Sequence, residues 1–346
     1  MKFLKSLFGR GAAKQTTFFA SAPPMKMLPS HCWTTGTTMP IPDWDAVAAT
    51  EPSGAAALDA FWRDSAEAWM QSLAFNLGEG YTIAGSEHFL LLSPMPARQR
   101  ELTLDYSERA HRRILKALDG VARDTGHGPQ VVIVFDEIDE YHEYVANYVP
   151  DDEEHAVSAG MFINRGYGHY VFVKSDLDRM EPIIAHELTH ALLTHLPIPL
   201  WLNEGTAVNT EKHLVPHLAA PRNALYTPRE MEQRHKKFWN ARTIQQFWSG
   251  MSFRRPDEGS ELSYDLAERM VKLLGEDYPR YRSLLNTAQA EDAGAPAVAQ
   301  AYGFELHKLA AAIIGEGDWR PDPAEWDELS VATSAGKLPF EASRRQ

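Results

Sequence analysis

The stretch between Ser175 and Pro197 constrains this chain more than any other. It reads Ile183-Ile-Ala-His186-Glu187-Leu-Thr-His190-Ala-Leu-Leu-Thr-His195. Its apolar positions are so dense that the helix they form must be mostly buried, yet it carries polar groups into the interior. Ser175 or Asp176 can cap the start, Pro182 suits the first turn, and Pro197 stops it. Residues four apart lie one above the other on a helix, so His186 and His190 present two imidazoles on one face. Glu187 stands on the adjoining strip. Burying two histidines and a glutamate without partners is costly, and a metal ion is an economical way to satisfy them. The geometry suits two corners of a tetrahedral zinc site whose third ligand comes from elsewhere.

Composition limits what that ligand can be. Cys32 is the only cysteine among 346 residues, so no intramolecular disulfide forms and no site rests on several thiolates. Histidine and carboxylate must hold any metal. Trp201-Leu-Asn-Glu204-Gly-Thr-Ala follows shortly after the first motif, on a second helix expected to start near Leu202. Glu204 is the expected third ligand. With His186, His190 and Glu204 in place, the fourth position stays open for water, as catalytic zinc requires. Zinc lowers the pKa of that water, and Glu187 can accept its proton and later return it to a leaving amine.

The rest of the chain supplies a frame. With 44% hydrophobic residues, most of it is expected to be globular. The net charge of −13 argues against a general nucleic-acid partner. Helical spacing runs from Ala55 to Leu77 and from Arg98 to Leu118; buried strands are read at 87–92, 130–135 and 170–173. From Arg229 to about Gly315 the pattern is helical. These elements predict an α+β fold: a flexible or loosely wrapped segment 1–54, an α+β subdomain 55–215 with the site, a helical subdomain 216–315, and a tail 316–346.

No run of 18 apolar residues occurs, which excludes a spanning helix. Residues 1–10 are basic and amphipathic, and Ala20-Ser-Ala22 has the look of a signal-peptidase site, but Gly11–Phe19 lacks the apolar stretch that secretion requires. The expected location is cytoplasmic, with secretion or surface attachment through residues 1–22 left open.

Together the two motifs resemble the gluzincin group of zinc metallopeptidases. Trp201-Leu-Asn-Glu-Gly-Thr-Ala is similar to the second-helix motif of membrane-alanyl-type aminopeptidases and of compact peptidase-MA-like bacterial proteins, in which the Glu is a zinc ligand. The resemblance covers residues from about 85 to 315. It implies a zincin-like fold, a small mixed sheet on the metal-bearing helix followed by a helical part, with Zn²⁺ as cofactor and a peptide or protein as substrate. It also suggests a tyrosine facing the metal from a C-terminal helix, for which Tyr264 in Ser263-Tyr264-Asp-Leu-Ala-Glu-Arg-Met is the candidate; Tyr226 and His235 are substitutes without a positive argument. A hydroxyl there could contribute on the order of 3 kcal/mol to stabilising an oxyanion.

Two departures narrow the expectation. Thirteen residues separate His190 from Glu204, fewer than in thermolysin or the aminopeptidases, which fits the compact branch. Gly160-Met-Phe-Ile-Asn-Arg-Gly also lacks the Gly-x-Met-Glu-Asn pattern that anchors a free amine, so an endopeptidase is expected over an aminopeptidase. The alternatives are a catalytically silent binding or scaffold protein on the same fold, and a narrowly specific protease whose tails cover the cleft. Among lesser candidates, Asn209 and Glu211 could orient a ligand histidine or be solvated. His195 is read as a helix-end residue favourable to the dipole, strand 170–173 as an edge for an extended substrate, and Asp151-Asp-Glu-Glu154 as a solvated loop.

Overall fold

The computed structural model describes residues 26–148, 160–219 and 225–326. Its centre is a five-stranded mixed sheet of β1 (Thr82–Gly85), β2 (Phe89–Ser93), β3 (Gln130–Phe135), β4 (Gly160–Ile163) and β5 (His169–Val173), in the order β1-β2-β3-β5-β4. β2, β3 and β5 run parallel, while β1 and β4 close the two edges antiparallel. Strand β3, Gln-Val-Val-Ile-Val-Phe, is buried on both faces, as a central parallel strand must be. Strand 170–173 was expected to offer an edge. It is interior, paired with β3 on one side and β4 on the other, and the edge belongs to β4.

The pleat sends alternate residues into two cores. Phe89, Leu91, Val132, Val134, Tyr170 and Phe172 face one of them, with α3 (Ala97–Ala117), α5 (Leu177–Leu193) and α6 (Leu200–Leu214). The same core runs on without interruption into α7 (Pro228–Phe238), α8 (Ala241–Trp248), α9 (Glu258–Leu274), α10 (Tyr278–Thr287), α11 (Ala295–Tyr302) and α12 (Leu306–Ile314). Leu202 and Leu214 before residue 216 and Leu266 and Met270 after it therefore bury one another's surface across the expected subdomain boundary. Leu90, Leu92, Val131, Ile133, Phe135 and Val171 face the other core, with α1 (Trp44–Ala48), α2 (Ala55–Leu77) and α4 (Ile138–Ala146).

The ends of the described chain differ from the expected tails. Cys32, Met39, Ile41, Trp44 and Val47 are buried against α2 and the sheet, so residues 26–54 are built into the second core rather than loosely wrapped. Trp44 lies edge-on to Trp69 with ring centroids 5.3 Å apart. At the other end, Trp248 Nε1 donates to Trp319 O (3.0 Å), Gln245 Nε2 to Arg320 O (2.7 Å) and Trp326 Nε1 to Gln245 Oε1 (3.1 Å). Residues 316–326 are thereby fastened to α8. Residues 1–25, the loop 151–154 and residues 327–346 lie outside the described residues. Among the described residues no helix is long and apolar enough to cross a membrane.

Candidate metal centre

Two helices build the site. α5 begins after Asp176, whose side chain makes no capping bond, and Pro182 falls in the second turn instead of the first, where it forgoes one amide bond. Leu188, Ala191 and Leu192 bury one face of α5 in the core, which turns His186, Glu187 and His190 toward α6 and the sheet edge. α6 begins at Leu200, two residues earlier than expected. It is fixed by Trp201, which is fully buried and donates its indole N–H to Ala293 O at 2.9 Å.

Glu204 projects from α6 between the two histidines. Its Oε2 lies 3.3 Å from His186 Nε2 and 3.4 Å from His190 Nε2, yet neither contact has the direction of a hydrogen bond, and this buried oxygen has no donor. Among the described residues these three form the one trio of histidine, cysteine or acidic groups close enough to share a metal ion. Each imidazole is held from behind. His186 Nδ1 is 3.1 Å from Glu211 Oε2, and His190 Nδ1 is 3.0 Å from Asn203 Oδ1. Both outer partners are acceptors, so each Nδ1 must carry the proton, and in the neutral ring each Nε2 then turns a lone pair inward. With both rings neutral, three acceptors converge on one point.

An unserved buried acceptor costs about 1–3 kcal/mol, and a trio of them demands positive charge. The titration of the groups expresses the same demand. Burial pushes the His186 imidazole down, but Glu204 and Glu211 outweigh it and raise it to about 10. Burial also opposes protonation of His190, which Glu204 reverses. Glu204 is held well below the usual carboxylate range, burial notwithstanding, by His190 and His186. Protons can meet the demand in part. A divalent cation with nitrogen and carboxylate ligands meets it fully, and this donor set fits zinc.

Glu187 flanks the trio. One oxygen, Oε2, accepts the backbone N–H of Phe162 on β4 at 2.8 Å. Burial raises the carboxyl above its ordinary range, with His190 and His186 pulling the other way.

Tyr264, on α9, lies close to Glu204 and Glu187. α6 and α9 cross closely because residue 205 is glycine: a Cβ there would lie 2.5 Å from Ala267 O. Asn209 Nδ2 fastens the crossing by donating to Glu268 O at 2.9 Å. The Tyr264 ring stands edge-on to Phe253 at 5.2 Å. Burial holds its hydroxyl protonated well above the ordinary value, and the carboxylates of Glu204 and Glu187 add to the effect.

His186, His190 and Glu204 thus come together, Glu187 and Tyr264 lie near enough to feel the Glu204 charge, and Glu211 stands behind His186. Asn209 serves the helix crossing instead of a histidine. The outer partner of His190 is Asn203, which the sequence reading passed over although it adjoins Glu204. His195 takes no part; burial and Arg123 depress its pKa, so it does not carry the charge a helix-end role needs. His235 is bonded to Asp265 and Trp239, and the exposed Tyr226 lies under Arg234. No family model matches the chain, and no curated protein matches it in sequence.

Proposed function

We propose that the chain is a zinc-dependent peptidase of the gluzincin type, acting as an endopeptidase on peptide or protein substrates. The observation that carries the reading is the convergence of His186 Nε2, His190 Nε2 and Glu204 Oε2, with no hydrogen bond formed among them, beside the half-buried Glu187 carboxylate and a protonated phenol. The arrangement of a mixed sheet, an antiparallel edge strand and a histidine-bearing helix is the one a zincin-like fold would use.

His186, His190 and Glu204 would hold the zinc, which supplies Lewis acidity toward a carbonyl and acidifies water. Glu211 and Asn203 keep the two imidazoles in the tautomer and orientation that ligation needs. Glu187, with Oε2 engaged by Phe162, turns Oε1 to accept the proton of the attacking water and to return it to the leaving amine. Its raised pKa brings the group nearer to neutrality, where a base that must also act as an acid works best. Tyr264 donates its hydroxyl hydrogen to the carbonyl oxygen as negative charge grows there. The segment Gly160–Gly166 carries no acidic residue to anchor a free amine, which favours cleavage within a chain.

The test is a peptide-library cleavage assay on the wild-type chain and on Glu187→Gln, both with zinc content measured. Cleavage by the wild type, with zinc bound in both and a rate lower by on the order of a thousandfold in the variant, is the expected result. Zinc without cleavage by either protein would replace the peptidase with a binding or scaffold protein on the same fold. Absence of zinc uptake would remove both.

A further inference from the structure

Edge strands expose backbone N–H and C=O groups along their free side. In β4 one of these groups is spent inside the molecule. Phe162 pairs with Tyr170 on β5, and its N–H bonds Glu187 Oε2 at 2.8 Å instead of the neighbouring strand. A pair that exchanges no ladder bonds brings its side chains close, and the Phe162 and Tyr170 rings stand 5.2 Å apart.

Gly160 explains how the strand comes within reach. A Cβ there would run into Phe172 Cδ1 and lie 2.6 Å from Ile183 Cγ2. Ile183 is one turn before Glu187 on α5, so the contact that a side chain at 160 would prevent is the contact that brings the Phe162 amide to the carboxylate. The other oxygen of Glu187 takes no hydrogen bond from any described residue. One oxygen is fixed and the other is left for chemistry.

We propose that β4 is a positioning element for Glu187, the Phe162 backbone N–H holding Oε2 and Gly160 setting the strand-to-helix distance that makes the bond possible. This rests on the reading of Glu187 as proton acceptor. A glutamate with three rotatable bonds, held at one point on its backbone alone, samples many orientations. The amide selects the one in which Oε1 faces the metal pocket, and misplacement of a reacting group by an ångström is expensive in rate. The same bond withdraws the Phe162 donor from any peptide lying along β4, so a substrate gains no hydrogen bond from that amide.

The test replaces Phe162 in the full chain by phenyllactate, which exchanges the N–H for an ester oxygen and keeps the side chain. No ladder N–H is lost, because this N–H does not bond β5, and the weaker ester carbonyl at Met161 is common to both backgrounds compared below. In the zinc-loaded protein kcat falls about tenfold or more while KM and zinc stoichiometry hold. In the zinc-free protein the ester lowers Tm by about 3 °C in the wild-type background and by less than about 1 °C in the Glu187→Ala background. Gly160→Ala, made as a second variant, lowers kcat in the same direction with zinc retained. Equal Tm losses in the two backgrounds, or an unchanged kcat in a wild type that cleaves, overturn the positioning role. A wild type that cleaves nothing overturns the peptidase reading itself, so the two failures are told apart.

Discussion

His169 in the second core and the His186–His190 pair on α5 show two opposite ways of holding an imidazole away from solvent. His169, on the second-core side of β5, is fully buried. Its Nδ1 donates to Tyr167 O at 2.7 Å, and its Nε2 accepts from Tyr144 Oη at 2.7 Å. Trp69 closes the site edge-on with ring centroids 5.0 Å apart. Both ring nitrogens are served, and burial takes the imidazole down to about 4, so the ring is neutral. His186 and His190 have their outer nitrogens served in the same manner, but their inner nitrogens point at a carboxylate oxygen that itself has no donor. His169 closes both of its hydrogen bonds. His186 and His190 each leave one side open, and Glu211 and Asn203 hold the rings from behind, as the proposed zinc site requires.

The largest expected effect separates the two regions directly. Zinc at about a thousandfold excess over its Kd should stabilise the wild type by about 4 kcal/mol, raising Tm by about 5 °C in calorimetry. The shift should vanish in His190→Ala and persist in His169→Ala. Conversely, His169→Ala should cost the metal-free protein about 3 kcal/mol, because it opens a cavity, strips Tyr167 O of its donor and leaves Tyr144 Oη with Tyr148 Oη alone. A comparable loss of metal-free stability in His190→Ala would erase the distinction.

Acid should find His169 as well. Its folded pKa of about 4 lies below the ordinary 6.5, so between those values the unfolded chain holds a proton that the fold excludes. The contribution is therefore complete above pH 6.5 and is lost as pH falls toward 4, by up to about 3 kcal/mol. Chemical denaturation across that range should show the slope in the wild type, and a slope weaker by one proton in His169→Gln.

The supports behind the ligands come next. Asn203→Ala and Glu211→Gln should each weaken zinc binding about 10- to 100-fold in titration calorimetry, with the fold intact. Asn209→Ala, aimed at a residue that fastens α6 to α9, should leave zinc affinity within about twofold. The smallest effect is on titration in the metal-free protein: Glu204→Gln should lower the His186 pKa, read by NMR, because one of the carboxylates that raise it is gone.

The site was legible to the extent that its chemistry is local. His186, Glu187 and His190 lie within one turn of one helix, so their common face follows from helical spacing, and Glu204 follows in a motif just downstream. Asn203 was missed because its partner is chosen by the crossing of α5 and α6, and Asn209, with equal sequence merit, is turned toward α9 by the same packing. The Phe162 amide has no side-chain signature at all; the signal nearest to it is Gly160, two residues earlier.

Fold legibility follows the same rule. Helix 55–77 and strand 130–135 appear with the expected bounds, since their apolar patterns are continuous. β1, with one fully buried residue in four, and α4 gave too little pattern to detect. The Pro- and Thr-rich stretch before residue 55 looked like a loose segment because its buried residues, Cys32, Met39, Ile41, Trp44 and Val47, follow no period. They are set by the shape of the surface formed by α2 and the sheet.

The central claim is that three inward-facing acceptors on α5 and α6 make a zinc site. Titration calorimetry of the chelator-stripped chain with zinc, repeated on Glu204→Ala and His190→Ala, tests it most directly. One zinc per chain is expected in the wild type, with an affinity reduced at least a hundredfold in each variant. Binding of equal strength in all three proteins, or none in the wild type, would contradict it.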